Sequence, residues 1–399
     1  MDETERIYLD HNATTPLRPE ALEEMCPYLR ERHGNPSSPG FSGRLAKEAV
    51  VRGRREVAAL LGAEPAEIVF TSGCTESIHH AILGALELAP DRARIVSTGV
   101  EHPATALLLD RLEGRAVEVV RLPVDRQGML DPGQIEQALS PPPALLSLVW
   151  VNNETGVIAP VEEAIALAKE RGLLCHLDAA QAVGKLPVDA RALPFDLLSF
   201  SAHKIGGPKG IGALFVRKGV ALPPLFCGHQ ERGRRGGTEN VAAIVGFGVA
   251  ARFASCDPVD RSRRVGLLRD RLEGEIVRLL PFATIHGGSA PRVANTSSIG
   301  FRGIDGEELL AGLERRGIEA SLGSACSSGK GEPSRILAAM GISAEDARST
   351  LRFSLGEETS PEQIDRAVRA IVEEARGIDG RQRGGGRNDE DHDSASRCG

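Results

Sequence analysis

Lys204 is the first residue of this sequence with a clear chemical potential. It follows an apolar run and precedes a turn rich in Gly and Pro (205–210) that leads into another apolar run. A lysine amine held at the end of a strand could form a Schiff base, because desolvation or nearby cations make it lose its proton more easily. A surface lysine in a hairpin is the alternative, and the segment taken alone favours it.

Asp178 and Gln181 could complete a site for pyridoxal phosphate (PLP). Asp178 closes an apolar run and Gln181 follows three residues later. A carboxylate beside the pyridine nitrogen of PLP keeps that nitrogen protonated, whereas an isolated Asp in this position is more often a helix N-cap. Segment 70–82 runs from a strand through a Gly-Cys-Thr turn into a helix, which offers free N–H groups to a phosphate.

Cys326 lies between small residues on both sides, in segment 321–334. This composition predicts a pliable loop in which a thiolate could act as a nucleophile; a buried structural cysteine is the alternative. The chain has seven cysteines, an odd and scattered set without a CxxC pair. We therefore expect neither a disulfide framework nor a zinc site, and interpret the other cysteines as reduced thiols.

The elements that position these residues alternate between strands and helices. Apolar runs predict strands at 67–70, 94–98, 118–122, 145–151, 173–179, 197–202 and 212–217, with helical segments such as 43–62 and 160–172 between them. This order predicts an α/β domain with a mostly parallel sheet covered on both faces. Ligands of such sheets bind at the carboxyl ends of the strands.

A second pattern begins near residue 261. It predicts a smaller α+β domain, with helices at 261–280, 306–317 and 361–377 and strands at 296–301 and 351–355. The chain is then divided into four parts. Residues 1–15 form an N-terminal segment that packs near the small domain, and residues 16–260 form the large domain. Residues 261–378 form the small domain with the Cys326 loop, and residues 379–399 form a tail. The tail lacks apolar periodicity and is rich in Gly and charge, so we expect it to be disordered.

Composition excludes several classes of function. The formal net charge of -7 argues against a general nucleic-acid binder. No apolar run approaches the roughly 18 residues of a membrane span. The first residues, MDETERIYLD, are acidic and polar, unlike a signal peptide. We expect a cytoplasmic protein that binds neither nucleic acid nor membranes.

Taken together, these segments resemble the cysteine desulfurases of the NifS/IscS type, in the class-V aminotransferase family. The matching blocks extend from YLDHNATTP (8–16) and GNPSS (34–38) to RFSL (352–355), and include EIVFTSGCTES, VEHPA, VNNETG, HLDAAQAVGK, SFSAHKIGGPKGIGALFVR, GHQERGRRGGTEN and GSACSSG. The branch associated with nitrogen fixation looks most similar. The resemblance implies the aspartate-aminotransferase-like fold of PLP enzymes (fold type I), with a large domain and a smaller one.

The resemblance also implies roles for individual residues. Lys204, His102 and Cys326 are the implied catalytic residues. The implied cofactor-binding residues hold the phosphate, the ring or its substituents, and are Cys74 (through its backbone), Thr75, Asn153, Asp178, Gln181, Ser201, His203, Lys204 and Thr238. Asn153 and Arg352 are implied to bind the substrate carboxylate, which suits the two-pronged guanidinium. Thr238 is implied to reach the phosphate of a neighbouring subunit. The resemblance therefore also implies a homodimer.

Plainer interpretations remain for several of these residues. His102 could be a loop residue, Asn153 a turn former and Arg352 a charge on a strand surface. The run ERGRRGG (231–237) could resemble an RNA-binding patch, but it lacks interleaved aromatic residues. His79 and His80 depart from the family pattern, and adjacent helical residues do not share a face, so we do not predict a metal pair there. Cys74 replaces a more usual Gly or Ala.

The implied reaction converts L-cysteine to L-alanine and leaves a persulfide on Cys326. That sulfur would pass to an iron–sulfur scaffold or another acceptor protein, with nitrogenase-related assembly favoured by the branch similarity. We expect no metal of the protein's own, although Cys326 could contact an iron–sulfur cluster during transfer. The alternatives are a selenocysteine lyase, a housekeeping or tRNA-thiolation sulfur donor, an aminotransferase, which has no use for Cys326, and a non-catalytic scaffold protein.

Overall fold

The computed structural model describes residues 6–323 and 333–385. Its first part contains β1 (Ile7–Tyr8), α1 (Pro19–Arg30), α2 (Phe41–Leu60), β2 (Ile68–Thr71), α3 (Cys74–Leu88), β3 (Arg94–Thr98), α4 (Pro103–Glu113), β4 (Glu118–Leu122), α5 (Pro132–Ala138), β5 (Leu145–Val149), α6 (Val161–Glu170), β6 (Cys175–Asp178), β7 (Leu197–Ser201), β8 (Gly212–Val216) and α7 (Val241–Ala254). The second part contains α8 (Pro258–Leu279), β9 (Ala283–Ile285), β10 (Thr296–Phe301), α9 (Gly306–Arg315), β11 (Ile318–Glu319), β12 (Ser321–Leu322), α10 (Arg335–Ala339), α11 (Ala344–Arg348), β13 (Thr350–Ser354) and α12 (Pro361–Gly385).

The central sheet has seven strands in the order β2-β8-β7-β6-β5-β3-β4. Strand β8 runs antiparallel to both β2 and β7, and the remaining pairs are parallel. Every residue of β2, β3, β5, β6, β7 and β8 is buried, which is the reason these strands read as nearly continuous apolar runs. The prediction of a mostly parallel α/β sheet is confirmed.

Helices cover both faces of this sheet. On one face, α2, α6 and α7 pack with Phe200 and Phe215 in a single apolar core. On the other face, α3 and α4 pack against Val69 and Leu214. Neighbouring strand residues therefore point to opposite faces, as the two-residue period of a strand requires. Because β3, β4, β5, β6 and β7 run parallel, their carboxyl ends meet at one edge of the sheet.

The second part forms a four-stranded antiparallel sheet in the order β12-β13-β10-β9. Helices α8, α9 and α12 cover it with their own apolar core, which Ile7 and Leu9 join. Strand β1 pairs in parallel with β11, and Asp10 forms a bridge to Ser354. These contacts bring residues 11–15 to the edge of the large sheet.

The end of the chain differs from the sequence-based expectation. Helix α12 continues to Gly385, so residues 379–385 are helical and the prediction of a disordered tail from 379 is wrong for them. The rest of the predicted tail, with Cys398, lies outside the described residues.

Helices α7 and α8 are the helices that bear on a membrane span. Within residues 6–323 and 333–385, no single helix is both long and apolar enough to cross a bilayer. The two helices meet that criterion only as a pair, across a bend of 78°.

Candidate active site

A cavity of about 480 Å³ opens where β5, β6 and β7 end and α3 begins. It brings together most of the site residues predicted from the sequence, namely Cys74, Thr75, His102, Asn153, Asp178, Gln181, Ser201, His203, Lys204 and Arg352. Thr238 is exposed and is not among the lining residues. Cys326 lies outside the described residues. The position of the cavity agrees with the rule that ligands bind at the carboxyl ends of parallel strands.

Lys204 faces the cavity from the end of β7. Its Nζ donates to the backbone oxygens of Asn12, at 2.5 Å, and of Ala13, at 2.8 Å. The turn that follows contains Gly206 and Gly210, both in the left-handed region (φ 83° and 79°), which lets the chain reverse into β8. Lys204 is therefore a cavity residue, and the surface-hairpin interpretation is wrong.

Asp178 lies at the base of the cavity and is 3% exposed. Its Oδ1 accepts hydrogen bonds from the N–H of Ala180, at 3.0 Å, and from the Cys74 thiol, at 3.5 Å. Burial, reinforced by the neighbouring Asp178 charge, raises the pKa of Cys74 well above its usual value, so the thiol stays protonated and acts as a donor. A buried carboxylate with these weak partners can hold a protonated ring nitrogen.

His102 is the N-cap of α4. Its Nδ1 accepts from the N–H of Ala104 at 3.1 Å, which leaves the proton of the neutral ring on Nε2. Burial lowers the pKa of His102; Asp178 opposes this effect, and Lys204 and Arg352 add to it. The imidazole is therefore neutral at pH 7 and can donate a hydrogen bond through Nε2.

The first turn of α3 can hold a phosphate. Gly73 is the N-cap of this helix, and the N–H groups that follow it have no intrahelical partner by geometry. Nearby, Ser201 Oγ donates to the backbone oxygen of Ile211 at 3.3 Å. Burial, followed by the charges of Lys204 and Lys209, lowers the pKa of His203 to about 4, so this ring is also neutral.

Arg352 and Asn153 each have one buried polar atom that makes no hydrogen bond within the described part of the chain. Arg352 donates to Asp10 Oδ1 at 2.7 Å and to the backbone oxygen of Asn153 at 3.1 Å. Its Nε and the Oδ1 of Asn153 have no hydrogen-bond partner among the described residues. Unsatisfied buried polar atoms are costly, so their presence in a cavity indicates that a polar ligand completes them. Arg352 is 4% exposed, which contradicts the interpretation as a strand-surface charge.

The arginine-rich run 231–237 packs against the protein itself. Arg235 forms an ion pair with Glu76 in the first turn of α3, at 2.9 Å. Glu231 is buried in an ion pair with Arg54, whose Nη2 lies 2.5 Å from Oε1. These internal contacts disfavour the interpretation as an RNA-binding patch, and they hold the segment before Thr238 against α2 and the start of α3.

The two histidines that depart from the family pattern contact backbone oxygens. His79 Nε2 lies 3.2 Å from the oxygen of Ala104, and His80 Nε2 lies 2.7 Å from that of Pro223. Their contacts tie α3 to α4 on one side and to the chain after β8 on the other. Both rings therefore pack the helix that begins at the cavity.

Sequence reasoning missed Asn12 as a residue of the cavity. The backbone oxygen of Asn12 accepts from Lys204 and from Gln181 Nε2, the latter at 2.9 Å. Its side chain accepts from Lys185 at 2.8 Å and donates to the backbone oxygen of Asn153 at 3.2 Å. The block YLDHNATTP was recognised as a motif, but its spacing does not reveal which member faces the site.

The residues of the cavity fit PLP. The helix N-terminus suits the phosphate of the cofactor, and the buried carboxylate suits its ring nitrogen. The lysine amine suits the aldehyde. The unsatisfied guanidinium nitrogen suits the carboxylate of an amino acid substrate. The volume is also within the usual range of small-molecule sites, about 300–1,000 Å³.

Comparison with known proteins identifies relatives along most of the chain. The family described as Aminotransferase class-V matches residues 7–367. A cysteine desulfurase of Trichormus azollae is 46% identical over 369 residues, which is 92% of each chain. A solved structure called NifS-like protein has a TM-score of 0.85 and 34% identity, covering 92% of this chain and 98% of that one. Another, described as SspA in complex with cysteine, has a TM-score of 0.78 and 33% identity over 87% of this chain and 98% of that one.

Proposed function

The chain belongs to the class-V aminotransferase family, in its cysteine desulfurase branch of the NifS type, and from this premise we propose how its residues take sulfur from L-cysteine. It is a PLP-dependent enzyme of α/β fold. One observation carries the assignment of roles: a single cavity unites Lys204, Asp178 and the unsatisfied Nε of Arg352.

PLP supplies an electron sink for the electron pair that is left when a bond at the substrate breaks. Lys204 would bind the cofactor aldehyde and afterwards move a proton with the same amine. Asp178 would keep the ring nitrogen protonated, and Gln181 would donate to the ring hydroxyl. The phosphate would be held by the first turn of α3 and its neighbours, Cys74 N–H, Thr75, Ser201 and His203.

The substrate carboxylate would be held at Arg352. Its Nε has no hydrogen-bond partner among the described residues, and Asp10 and the Asn153 backbone fix the rest of the guanidinium. Rotation of the Asn153 amide would direct its NH₂ group to the same carboxylate. His102, with its proton on Nε2, would lie over the ring as a hydrogen-bond donor and take part in proton transfer when its Nδ1 leaves the Ala104 N–H.

Cys326 would receive the sulfur. Its thiolate forms a bond to the substrate sulfur while the carbon–sulfur bond breaks. The electron pair of the broken bond remains with the substrate carbon, which takes up a proton to give L-alanine, and the sulfur stays as the Cys326 persulfide.

The described residues on both sides of segment 324–332 support access of Cys326 to the cavity. Ser334 Oγ donates to Glu154 Oε2 at 2.5 Å, and Glu154 follows the cavity residue Asn153. A Cβ at Gly323 would lie 3.0 Å from the same Oε2. The described residues that flank this segment, Gly323 and Ser334, therefore both lie beside Glu154, next to the cavity residue Asn153.

Substitution of Lys204 tests these roles. We expect Lys204→Ala to lower L-alanine formation by about 10²–10⁴-fold, because the amine both binds the cofactor and moves a proton. The exposed Lys218→Ala is the matched control and should retain full activity. Full activity of Lys204→Ala, with PLP still bound, contradicts the assignment.

A selenocysteine lyase would use the same cavity. Comparison of kcat/KM on L-cysteine and L-selenocysteine, in the wild type and in Cys326→Ala, separates the two functions. A desulfurase loses its cysteine activity without Cys326. Selenocysteine turnover that far exceeds cysteine turnover and does not depend on Cys326 identifies the lyase.

We propose that the persulfide supplies a scaffold protein for iron–sulfur clusters, in nitrogenase-related assembly, within the cytoplasm. The resemblance to the nitrogen-fixation branch supports this destination. Enzyme loaded with ³⁵S-persulfide, offered a cysteine-containing scaffold and a tRNA-thiolation acceptor in competition, should label the scaffold first. Preferential labelling of the tRNA-thiolation acceptor contradicts the proposal.

We also propose a homodimer whose sites are shared. Large apolar side chains are exposed on α1 and α2, namely Leu22, Leu29 and Phe41, with exposed fractions of 48%, 63% and 69%. Exposed apolar side chains of this size support association, and the exposed Thr238 lies outside its own cavity. Light scattering should give twice the chain mass.

Hybrid dimers test the sharing directly. Neither Lys204→Ala nor Thr238→Val should be fully active alone. In a hybrid dimer, the Thr238→Val subunit keeps its own Lys204 and receives an intact Thr238 from the Lys204→Ala subunit. A mixture that exchanges subunits should therefore recover one intact site per hybrid. No recovery in a verified hybrid excludes a Thr238 contribution across the interface.

A further inference from the structure

Lys185 is a second lysine at the cofactor site that the assignment above leaves without a role. It lies after β6, four residues beyond Gln181, and lines a neighbouring, smaller cavity of about 120 Å³ behind Lys204. Its Nζ donates to Asn12 Oδ1 at 2.8 Å and to Gln181 Oε1. Asn12 thus joins both lysines, because its backbone oxygen accepts from Lys204.

The contacts of Lys185 determine how the Gln181 amide is oriented. Lys185 has only donors, so the amide oxygen of Gln181 must face it and the amide nitrogen must face away. Gln181 Nε2 then donates to the Asn12 backbone oxygen at 2.9 Å. The reversed amide would place an NH₂ group against the lysine amine and lose both hydrogen bonds. Gln181 therefore offers a donor, and never its oxygen, to a ligand in the cavity.

Within the described residues, Lys185 Nζ donates to neutral amide oxygens, so its surroundings stabilise a charged ammonium poorly. Burial, then the charges of Lys204 and Arg352, lower the pKa of Lys185 well below its usual value. The other charged or titratable groups near it are His11, whose pKa the lysine lowers further, and Arg18, Arg261, Glu357 and Glu358 around the smaller cavity. A neutral amine still donates to the Gln181 oxygen, and the Asn12 backbone oxygen can only accept, so Gln181 Nε2 keeps facing Asn12 when the lysine loses its proton.

We propose that Lys185 is a positioning residue that acts through Gln181, holding its amide nitrogen toward the ring hydroxyl of the cofactor. The proposal rests on the cofactor role assigned to Gln181. Lys185 need not touch PLP or substrate for this purpose. It fixes one rotamer of one side chain, and the consequence appears in the electronic state of the bound cofactor.

A double-mutant cycle on the holoenzyme tests the proposal. The variants are Lys185→Met, Gln181→Ala and the pair, and the readouts are the pH midpoint of the visible absorption band of bound PLP and kcat/KM for L-cysteine. Lys185→Met alone should shift the midpoint and lower kcat/KM by about 3–10-fold, the value of one hydrogen bond. In the Gln181→Ala background the same substitution should change kcat/KM less than about twofold, because there is no amide left to orient.

Further variants keep the test decisive. Lys185→Gln retains a donor and should restore most of the wild-type midpoint. If Lys185→Met does not fold, Lys185→Leu, which also lacks a donor, takes its place in the cycle. The exposed Lys218→Met should match the wild type in both readouts. An unchanged midpoint in Lys185→Met, or equal losses with and without Gln181, overturns the proposal. A wild type that binds PLP but forms no alanine would instead contradict the proposed function and leave the spectroscopic cycle interpretable.

Discussion

Glu101, next to His102, is a buried carboxylic acid whose replacement should change how stability depends on pH. Its Oε1 accepts from Thr98 Oγ1 at 2.8 Å and from the N–H of Val149 at 2.9 Å, whereas Oε2 has no hydrogen-bond partner among the described residues. Burial, with a smaller contribution from the charge of Asp178, raises its pKa from 4.5 to about 8. At neutral pH the folded protein therefore holds a proton on Glu101 that the unfolded chain releases.

The sign and size of the effect follow from this difference. The folded state binds more protons than the unfolded state between the two pKa values, so the free energy of unfolding falls as pH rises. The contribution is complete below the unfolded pKa of 4.5 and is lost as pH passes through about 8. Between pH 5 and pH 8 the loss is about 3–4 kcal/mol, at 1.36 kcal/mol per unit. Glu101→Gln keeps the acceptor, is neutral without a proton and should remove this loss.

Urea unfolding of both holoproteins at pH 5 and pH 8, at one PLP concentration, measures the effect. The free energy of unfolding of Glu101→Gln minus that of the wild type should be about 3–4 kcal/mol larger at pH 8 than at pH 5. Glu87→Gln, an exposed carboxyl on α3, is the control for a generic loss of charge. Parallel pH dependences of the wild type and Glu101→Gln would refute the reasoning, because they mean that Glu101 is already ionised in the folded state.

Three further substitutions test other parts of the structure. Arg54→Met strands the buried Glu231 carboxylate and should lower the free energy of unfolding by about 3–5 kcal/mol, measured by urea titration. Gly212→Ala would place a Cβ 2.7 Å from the backbone carbon of Gly73, and should weaken PLP binding, measured by equilibrium dialysis, by displacing the start of α3. Arg352→Lys removes the planar fork and should raise the KM for L-cysteine at least about tenfold, measured by steady-state kinetics.

Each of these substitutions has a matched control. Arg54→Met combined with Glu231→Leu should recover part of the lost stability, since no charge remains unpaired. Gly274→Ala, in α8, meets no atom within 4 Å of its Cβ and should leave PLP binding unchanged. The exposed Arg278→Lys should leave KM unchanged. Equal losses in a variant and its control would mean that the named contact is not the cause.

The sequence predicts the central sheet well because six of its seven strands are buried on both faces. Strands β3 (94–98) and β4 (118–122) of this sheet begin and end at the predicted residues, and so does β10 (296–301) of the smaller sheet. The end of the chain is predicted less well. Gly-rich, charged residues after 378 lack apolar periodicity, yet α12 continues into them as an extension of an already nucleated helix.

The sequence predicts those residues of the candidate site that lie within a recognisable motif. Lys204, Asp178 and Arg352 were predicted, and they meet in the cavity. Asn12 and Lys185 were not assigned roles, because their contacts join segments more than 160 residues apart in the sequence. Short-range spacing carries no information about such contacts.

The sequence also does not predict the direction in which some side chains of the site point. Cys74 was expected to contribute only its backbone N–H, but its thiol points to Asp178. Asp10, which holds Arg352, has a backbone bridge to Ser354 that no periodicity predicts. The pairing of β1 with β11 and the bridge to Ser354 together place Asp10 beside Arg352.

Sulfur transfer by Cys326→Ala holoenzyme tests the central claim most directly. The variant should retain the visible absorption of bound PLP, and with L-cysteine it should form neither enzyme persulfide nor L-alanine above the uncatalysed background. Cys256→Ala, which removes an exposed thiol, should behave as the wild type. Full desulfurase activity of PLP-loaded Cys326→Ala would contradict the account, because the sulfur would then leave the substrate without the proposed acceptor.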